Sequence, residues 1–520
     1  MNQSVLLALF ATALLSIPAS AQVTPQPNDI SKAAAAKTPS APEQSLAIAL
    51  PGSPLGIGWF FVYGYGMPSA TFMPDLRKLG AGMTKVYLFW NQIEPEKDRY
   101  DWSAVDAFVN QLQSPEEALI SVYSTSQWAT KTPATLLPPS PAKNLEEYYQ
   151  FVYALVKHCQ GRVRYWENDS EPNNPVFWAG TKEEFAGQLK IFHKAVKAAD
   201  PSAVVILGGY DGRFSPPDVP NAHLIPGQEV GLKFFDYVLE QGRDAFDLFD
   251  LRLYGDSYTI PARVEYVRRM MAAHGYRKPI VSTEYGGPNL FEFPENRVLA
   301  PLLQSWTQTA TQGGSASQGA NPIAKLYERR STLPAQTQMF MLDCSPELQA
   351  KYQRIQSRSL VMRTLLAISA GVQKLLYWEF LNLETTHPQR DDMMILMYGK
   401  VGLMAPEGNE LKRTPTADAY ERMARAFDGV REVKRVEVPG RPSIYLFEVD
   451  RGKRGPLYVV WERRDQFSGE DAPAVPFEWE HPAKAATAID ALGQHVPVEV
   501  SGGKLRLRVS LTPIYMDLDR

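Results

Sequence analysis

Residues 163–207 read VRYWENDSEPNNPVFWAGTKEEFAGQLKIFHKAVKAADPSAVVIL, and the architecture follows from this one stretch. Val163–Trp166 is a short strand-like run. Thr181-Lys182-Glu183-Glu184 is a full capping box; Phe185, Leu189, Phe192 and Val196 then line one face of a helix, and Asp200-Pro201 stops it. Ala203–Leu207 follows as a nearly all-apolar run, as a strand buried on both faces requires. Strand, helix, strand in that order is a βαβ unit, in which the two strands run parallel.

The same alternation repeats on either side. Further strand candidates are Leu55–Phe61, Thr84–Trp90, Ala118–Tyr123, Phe249–Tyr254, Pro279–Thr283 and Lys374–Trp378. Helices with legible ends lie between them; Ser103-Ala104-Val105-Asp106 is a capping-box-like start, with Val105, Phe108, Val109 and Leu112 at helical spacing. Eight strands with interleaved helices predict an α/β fold, a (β/α)8 TIM barrel over residues 51–430. Its largest insertion, Gly286 to Pro346, contains Gly313-Gly314-Ser315-Ala316-Ser317-Gln318-Gly319 and is expected to be flexible there. From residue 431 to 520 short strands separated by Gly and Pro turns predict a small C-terminal antiparallel β-sandwich domain: Ser443–Val449, Leu457–Trp461, Val475–Trp479, Ala486–Ile489, Val496–Val500, Leu505–Val509 and Ile514–Leu518. That domain is expected to brace the barrel.

The N-terminus has a different character. Val5 to Ile17 is apolar apart from Thr12 and Ser16, and Ala19-Ser20-Ala21 follows, the pattern of a cleaved secretory signal over residues 1–21. Residues 22–50 read as a Pro/Ala-rich linker, of which Ser45–Leu50 could add a strand to the β-domain. The expectation is a secreted or periplasmic protein with no membrane span. The chain has 520 residues, 44% of them apolar and 21% charged, which excludes wholesale disorder. A formal net charge of −3 gives no electrostatic reason for a nucleic acid or membrane partner. Seven scattered His and two Cys offer no metal-ligand cluster. Cys159 and Cys344 fall at opposite ends of the expected barrel, too far apart for a disulfide, and are expected to be free thiols.

In such a barrel the active site lies at the C-terminal ends of the strands. After the fourth strand stands Trp166-Glu167-Asn168-Asp169-Ser170-Glu171-Pro172-Asn173, and after the seventh Lys278-Pro279-Ile280-Val281-Ser282-Thr283-Glu284-Tyr285-Gly286. Each puts a carboxylate just past an apolar strand. Two carboxylates facing one cavity are what glycoside hydrolysis needs, one protonated to assist the leaving oxygen and one ionised to attack or to activate water.

This pair of motifs resembles the retaining glycosidases of clan A and is most similar to glycoside hydrolase family 39. Trp90-Asn91-Gln92-Ile93-Glu94-Pro95 with Tyr100-Asp101-Trp102-Ser103 resembles the clan's second βα unit, and Ile489-Asp490-Ala491-Leu492-Gly493 through Leu511-Thr512-Pro513-Ile514-Tyr515 its β-domain. The resemblance implies Glu171 as general acid/base, Glu284 as nucleophile and Tyr254 as the residue that orients Glu284. It implies double displacement through a covalent glycosyl-enzyme, carboxyl groups about 5–5.5 Å apart, a carbohydrate substrate and no cofactor. Ser170 stands where the clan normally has an Asn that contacts the sugar, so an altered substrate or reduced activity is expected. Arg252 stands where strand six often has His; it is expected either to keep Glu284 ionised or to bind an acidic sugar.

Other positions have a functional and a structural reading side by side. Trp378 stacks on a sugar ring or packs; Glu379 beside it is expected to point outward. Trp90, Trp128 and Trp59 line subsites or belong to the core, Asn91 and Asn173 are candidate hydroxyl ligands, and Glu167 is expected to be structural or ion-paired. Two alternatives to hydrolysis remain, a catalytically impaired carbohydrate-binding barrel and a transglycosylase.

Overall fold

The computed structural model describes residues 48–62, 72–175, 177–210, 228–302, 322–382, 393–407 and 410–519. The signal-like run, most of the linker and the Gly313–Gly319 segment lie outside the described residues.

Eight parallel strands close in sequence order: β1 Leu55–Val62, β2 Met83–Phe89, β3 Glu117–Tyr123, β4 Tyr165–Asn168, β5 Val204–Tyr210, β6 Leu248–Leu251, β7 Ile280–Tyr285 and β8 Val372–Tyr377. The (β/α)8 expectation holds, with shifts of a few residues at strand ends. Val163–Trp166 was placed two residues early because β4 enters the ladder only where Tyr165 pairs with Leu119. The sixth strand is shorter than Phe249–Tyr254; above Leu251 only Leu253 still pairs, with Tyr285.

The helices form as their ends predict. Thr181 Oγ1 accepts from the Glu184 amide at 3.2 Å and Glu184 Oε2 accepts from the Thr181 amide at 2.8 Å, so both halves of the capping box are made. At the other site the sequence misleads. Trp102, not Ser103, occupies the cap of the helix Ser103–Val109, and no side chain closes it.

Side-chain alternation fills the barrel in layers. Met83, Leu119, Tyr165, Ile206, Leu248, Val281 and Leu376 form an apolar plug. Two residues further along the same strands stand Lys85, Ser121, Glu167, Gly208, Asp250, Thr283 and Trp378, which period-2 geometry puts on the same inner face. A polar floor therefore sits on an apolar base.

The C-terminal part is built of a five-stranded antiparallel sheet and a three-stranded one. The first orders Glu432–Val436, Ile444–Asp450, Pro456–Glu462, Ile514–Asp519 and Ala485–Asp490; the second orders Val475–Glu480, Lys504–Val509 and Glu499–Ser501. The edge strand Glu432–Val436 was missed because its exposed, charged face lacks apolar alternation, which is how edge strands resist stray pairing. A hairpin of Met404–Glu407 with Glu410–Arg413 was missed as well. Residues 48–50 add no strand. Instead the Ile48 amide donates to the Arg431 carbonyl at 2.7 Å and the Ala49 amide to Gln373 Oε1 at 2.6 Å.

Sheet and barrel meet through aromatic and ionic contacts. Trp461 Nε1 donates to Tyr258 OH at 3.0 Å, and Glu470 pairs with Arg354 and Arg358, each at 2.8 Å. Both cysteines are free; burial pushes the Cys159 thiol up to about 12, so it is unreactive. No helix among the described residues is long and apolar enough to cross a membrane.

Candidate active site

Two strand ends deliver the carboxylates, each by an irregularity of the backbone. Beyond β4 the chain turns sharply, with Asp169 and Glu171 both at φ 49° on either side of Ser170. Non-glycine residues are uncommon in this left-handed region and persist where the surroundings hold them. Asp169 is one anchor: its carboxylate accepts from the Ser124 amide at 2.8 Å and from the Ser124 hydroxyl at 2.9 Å. Burial pushes Asp169 up to about 7, against those two donors.

Along β7 the register shifts between Ser282 and Tyr285. Strict alternation would send Thr283 and Glu284 to opposite faces, yet both touch Lys85 and Arg252, because the bulge re-aims Glu284 into the mouth.

Glu284 is held by three donors and an ion pair. Oε1 accepts from Tyr87 OH at 2.6 Å and Lys85 Nζ at 3.2 Å and is ion-paired with Arg252 Nη2 at 3.1 Å; Oε2 accepts from Tyr254 OH at 3.1 Å. Burial pushes the carboxyl up, but Arg252, Lys85 and the Tyr87 hydroxyl outweigh it and hold Glu284 below the ordinary carboxylate value. The residue keeps 8% exposure, so it is not walled off. Glu171 keeps 13% at its side chain and lies 3.3 Å from Arg252 Nε.

Arg252 is therefore the hub. Nη1 donates to Asp250 and Thr283, Nη2 donates to Ser170 and is ion-paired with Glu284, and Nε donates to Glu171. Glu167 lies 3.6 Å from Nη2 and 2.8 Å from Lys85, with Ser121 hydrogen-bonded to it. Burial would raise Glu167, yet Lys85 and Arg252 hold it low; burial lifts Asp250 to about 6, with Arg252 opposing. Glu167 is thus ion-paired, as expected.

This arrangement corrects the acidic-sugar reading of Arg252. Its side chain is fully buried and all three nitrogens are engaged, leaving no fork for a substrate carboxylate. The first half of that expectation fits the charge pattern, since Arg252 is the largest influence that lowers the Glu284 carboxyl. The Ser170 hydroxyl accepts from Arg252 Nη2, and the residue is 3% exposed.

Tyr254 bonds Glu284 directly, as the resemblance implied. Trp378, 6% exposed, meets Tyr254 and Tyr398 edge-on at 6.3 and 5.3 Å, and these three rings with Gly286 line one narrow crevice. Other candidates do not reach the pair. Trp90 is fully buried, stacks on Phe151 at 4.9 Å and donates to Glu94 at 2.7 Å, so it packs. Trp59 stacks on Phe72 at 4.1 Å in the core, and Trp128 donates to the Glu94 carbonyl at 3.0 Å. Asn91 braces the loop after β3, its amide donating to the Thr125 carbonyl at 2.7 Å and its Oδ1 accepting from Gln127. Asn173 turns its amide toward Gly231 of the helix Gln228–Gln241. Glu379 is buried, not outward.

Sequence reasoning missed Lys85, Tyr87, Asp250, Thr283 and the glycine pair of β5. A Lys in a strand buried on both faces was the available signal. For Gly208 and Gly209 the signal is steric. A Cβ on Gly209 would stand 2.3 Å from Arg252 Cζ, and one on Gly208 2.3 Å from the Asp169 carbonyl oxygen. Among the described residues no three His, Cys, Asp or Glu side chains are grouped to hold a metal ion.

No family model matches the sequence. Solved structures do. A family 39 glycoside hydrolase from the gut symbiont Bacteroides cellulosilyticus WH2 aligns over 90% of this chain and 81% of its own, at 16% identity and TM-score 0.56. A glucosidase from Croceicoccus marinus covers 89% and 95% at 13% identity and TM-score 0.53, and a family 51 α-L-arabinofuranosidase from Bifidobacterium longum covers 92% and 97% at 11% identity and TM-score 0.52. At such identities the likeness is one of fold: this chain has the barrel-and-β-domain architecture of these glycoside hydrolases.

Proposed function

We propose that the protein is an exported retaining glycoside hydrolase that cleaves O-glycosidic bonds of a poly- or oligosaccharide, with Glu284 as nucleophile and Glu171 as acid/base. The observation that carries this reading is the single guanidinium of Arg252 touching both carboxyl groups at the barrel mouth, where each keeps some exposure. Charge and hydrogen bonding distinguish the two. Glu284 accepts from Tyr87, Lys85 and Tyr254 and is held ionised by Arg252 and Lys85, as a nucleophile requires; Glu171 accepts from Arg252 Nε.

The two oxygens of Glu284 are not equivalent. Oε1 is tied by Tyr87, Lys85 and Arg252, whereas Oε2 carries only Tyr254. Oε2 is the oxygen with electron density to give, so it attacks the anomeric carbon while Glu171 protonates the departing oxygen. Arg252 and Lys85 then stabilise the carboxylate when water, deprotonated by Glu171, releases the sugar. Trp378 and Tyr254 supply the aromatic wall for the ring. The apolar run Val5–Ile17 supports export.

A panel of aryl glycosides and polysaccharides tests the reading. On whichever substrate is cleaved, Glu171→Gln and Glu284→Ala should each lower kcat by about 10²-fold or more. Full activity in both variants would refute it. A second reading, a binding barrel without turnover, is favoured by one observation, the loss of the Ser170 hydroxyl to Arg252. Glycan binding by calorimetry with no product on long incubation would support that reading instead.

A further inference from the structure

Trp378-Glu379 follows directly on strand eight, and Glu379 has no part in the chemistry above. Its side chain is fully buried, and neither carboxyl oxygen has a hydrogen-bond partner. The backbone around it is fixed. The Glu379 carbonyl accepts from the Leu403 amide at 3.1 Å, and the next amide, Phe380, donates to the Gly58 carbonyl at 3.1 Å. These bonds tie the backbone at Glu379 between β1 and the segment at Leu403.

The titratable groups that act on it are Glu284 from β7 and Tyr377 of β8 itself. The cations of the barrel mouth are paired with other carboxylates: Lys85 and Arg252 with Glu167 and Glu284. An anion at this place would be desolvated, without a donor, and in the field of a second anion. Each of these three opposes ionisation. Burial first and Glu284 second push the Glu379 carboxyl well above the ordinary range.

We propose that Glu379 is a neutral carboxylic acid in the working protein and a positioning residue for Trp378: its proton keeps the end of strand eight closed, and losing it opens that end and displaces the Trp378 ring from the site. The inference rests on the glycosidase reading for its kinetic consequence only. An ionised Glu379 requires water, and water reaches it only by parting the contacts at Gly58 and Leu403. Trp378, one residue away and packed against Tyr254 and Tyr398, moves with them. Alkaline pH therefore raises KM and lowers kcat/KM through a group that never touches substrate.

The test compares the full chain with Glu379→Gln and Glu379→Met, both neutral at every pH and close in size to Glu379. The infrared difference spectrum, wild type minus Glu379→Gln at neutral pH, should contain a protonated-carboxyl C=O band. Its absence would overturn the proposal whether or not the protein is a glycosidase. On a cleaved aryl glycoside both variants should keep neutral-pH activity within about twofold. At alkaline pH the wild type should lose kcat/KM by about tenfold per pH unit, the slope of one ionisation, and the variants should not. Superimposable profiles would overturn the proposal and leave Glu171 and Glu284 in their roles. Failure of both variants to fold would also overturn it, since an unpartnered neutral group must tolerate neutral replacement.

Discussion

Arg252 Nη2 lies 3.1 Å from Glu284 Oε1, and the guanidinium that makes this contact is wholly buried. Buried cations of this kind act through what they leave behind when removed. Arg252→Met would strand Glu284, Glu167 and Asp250 without their shared partner, and the expected loss of folding stability is about 3–5 kcal/mol by denaturant titration. Arg252→Lys keeps one charge but not the three-way fork. In that variant the Glu284 carboxyl should rise toward its ordinary value, so the acidic limb of kcat/KM moves to higher pH. An unmoved limb would show that Arg252 does not set the charge of Glu284.

The glycines of β5 give a steric counterpart. A Cβ at Gly209 meets Arg252 Cζ at 2.3 Å, a contact that must push the guanidinium off its partners. Gly209→Ala should cost about 1–3 kcal/mol in stability and lower kcat far more than it raises KM, although no functional group is removed. Wild-type kinetics in Gly209→Ala would mean the guanidinium has room to move.

Tyr254 donates to the Glu284 oxygen assigned to attack. A hydrogen bond to a charged group is worth about 1.5–3 kcal/mol, so Tyr254→Phe should lower kcat by roughly tenfold to a hundredfold with KM little changed. The loss belongs in single-turnover glycosylation rates; an effect confined to KM would make Tyr254 a substrate contact only.

Asp169 predicts how stability depends on pH. Its folded-state value is about 7, raised from an ordinary 3.8, so between those limits the folded chain holds a proton that the unfolded chain has released. Stability from this group is thus greatest below about 4 and falls as pH rises toward 7, by about 1.4 kcal/mol per pH unit at the steepest. Asp169→Asn keeps the Ser124 contacts and tolerates φ 49°, and should flatten that slope. An unchanged pH profile of unfolding free energy would place the ionisation elsewhere.

The barrel was legible because Val205, Ile206 and Leu207 are apolar without alternation while Phe185, Leu189 and Phe192 keep helical spacing, so two periodicities separate strand from helix. The carboxylates were legible from motif position, since both follow a buried strand. What stayed hidden depended on three dimensions. Lys85 and Arg252 share Glu167 and Glu284 only because strands two and six face each other across the closed barrel, and that arrangement is absent from either strand's own sequence. The bulge that turns Glu284 inward has no composition signature in Ser282-Thr283-Glu284-Tyr285. Trp90 failed as a ligand for the converse reason. Its place near a strand top was right, but a short helix, Trp90–Ile93, begins there and buries the ring against Phe151.

The most direct test is covalent trapping. A 2-deoxy-2-fluoro aryl glycoside of whichever sugar the protein cleaves should inactivate it, and peptide mass spectrometry should then locate one sugar on Glu284. A label on another residue, or turnover with inversion at the anomeric carbon and no adduct, would contradict the double-displacement account.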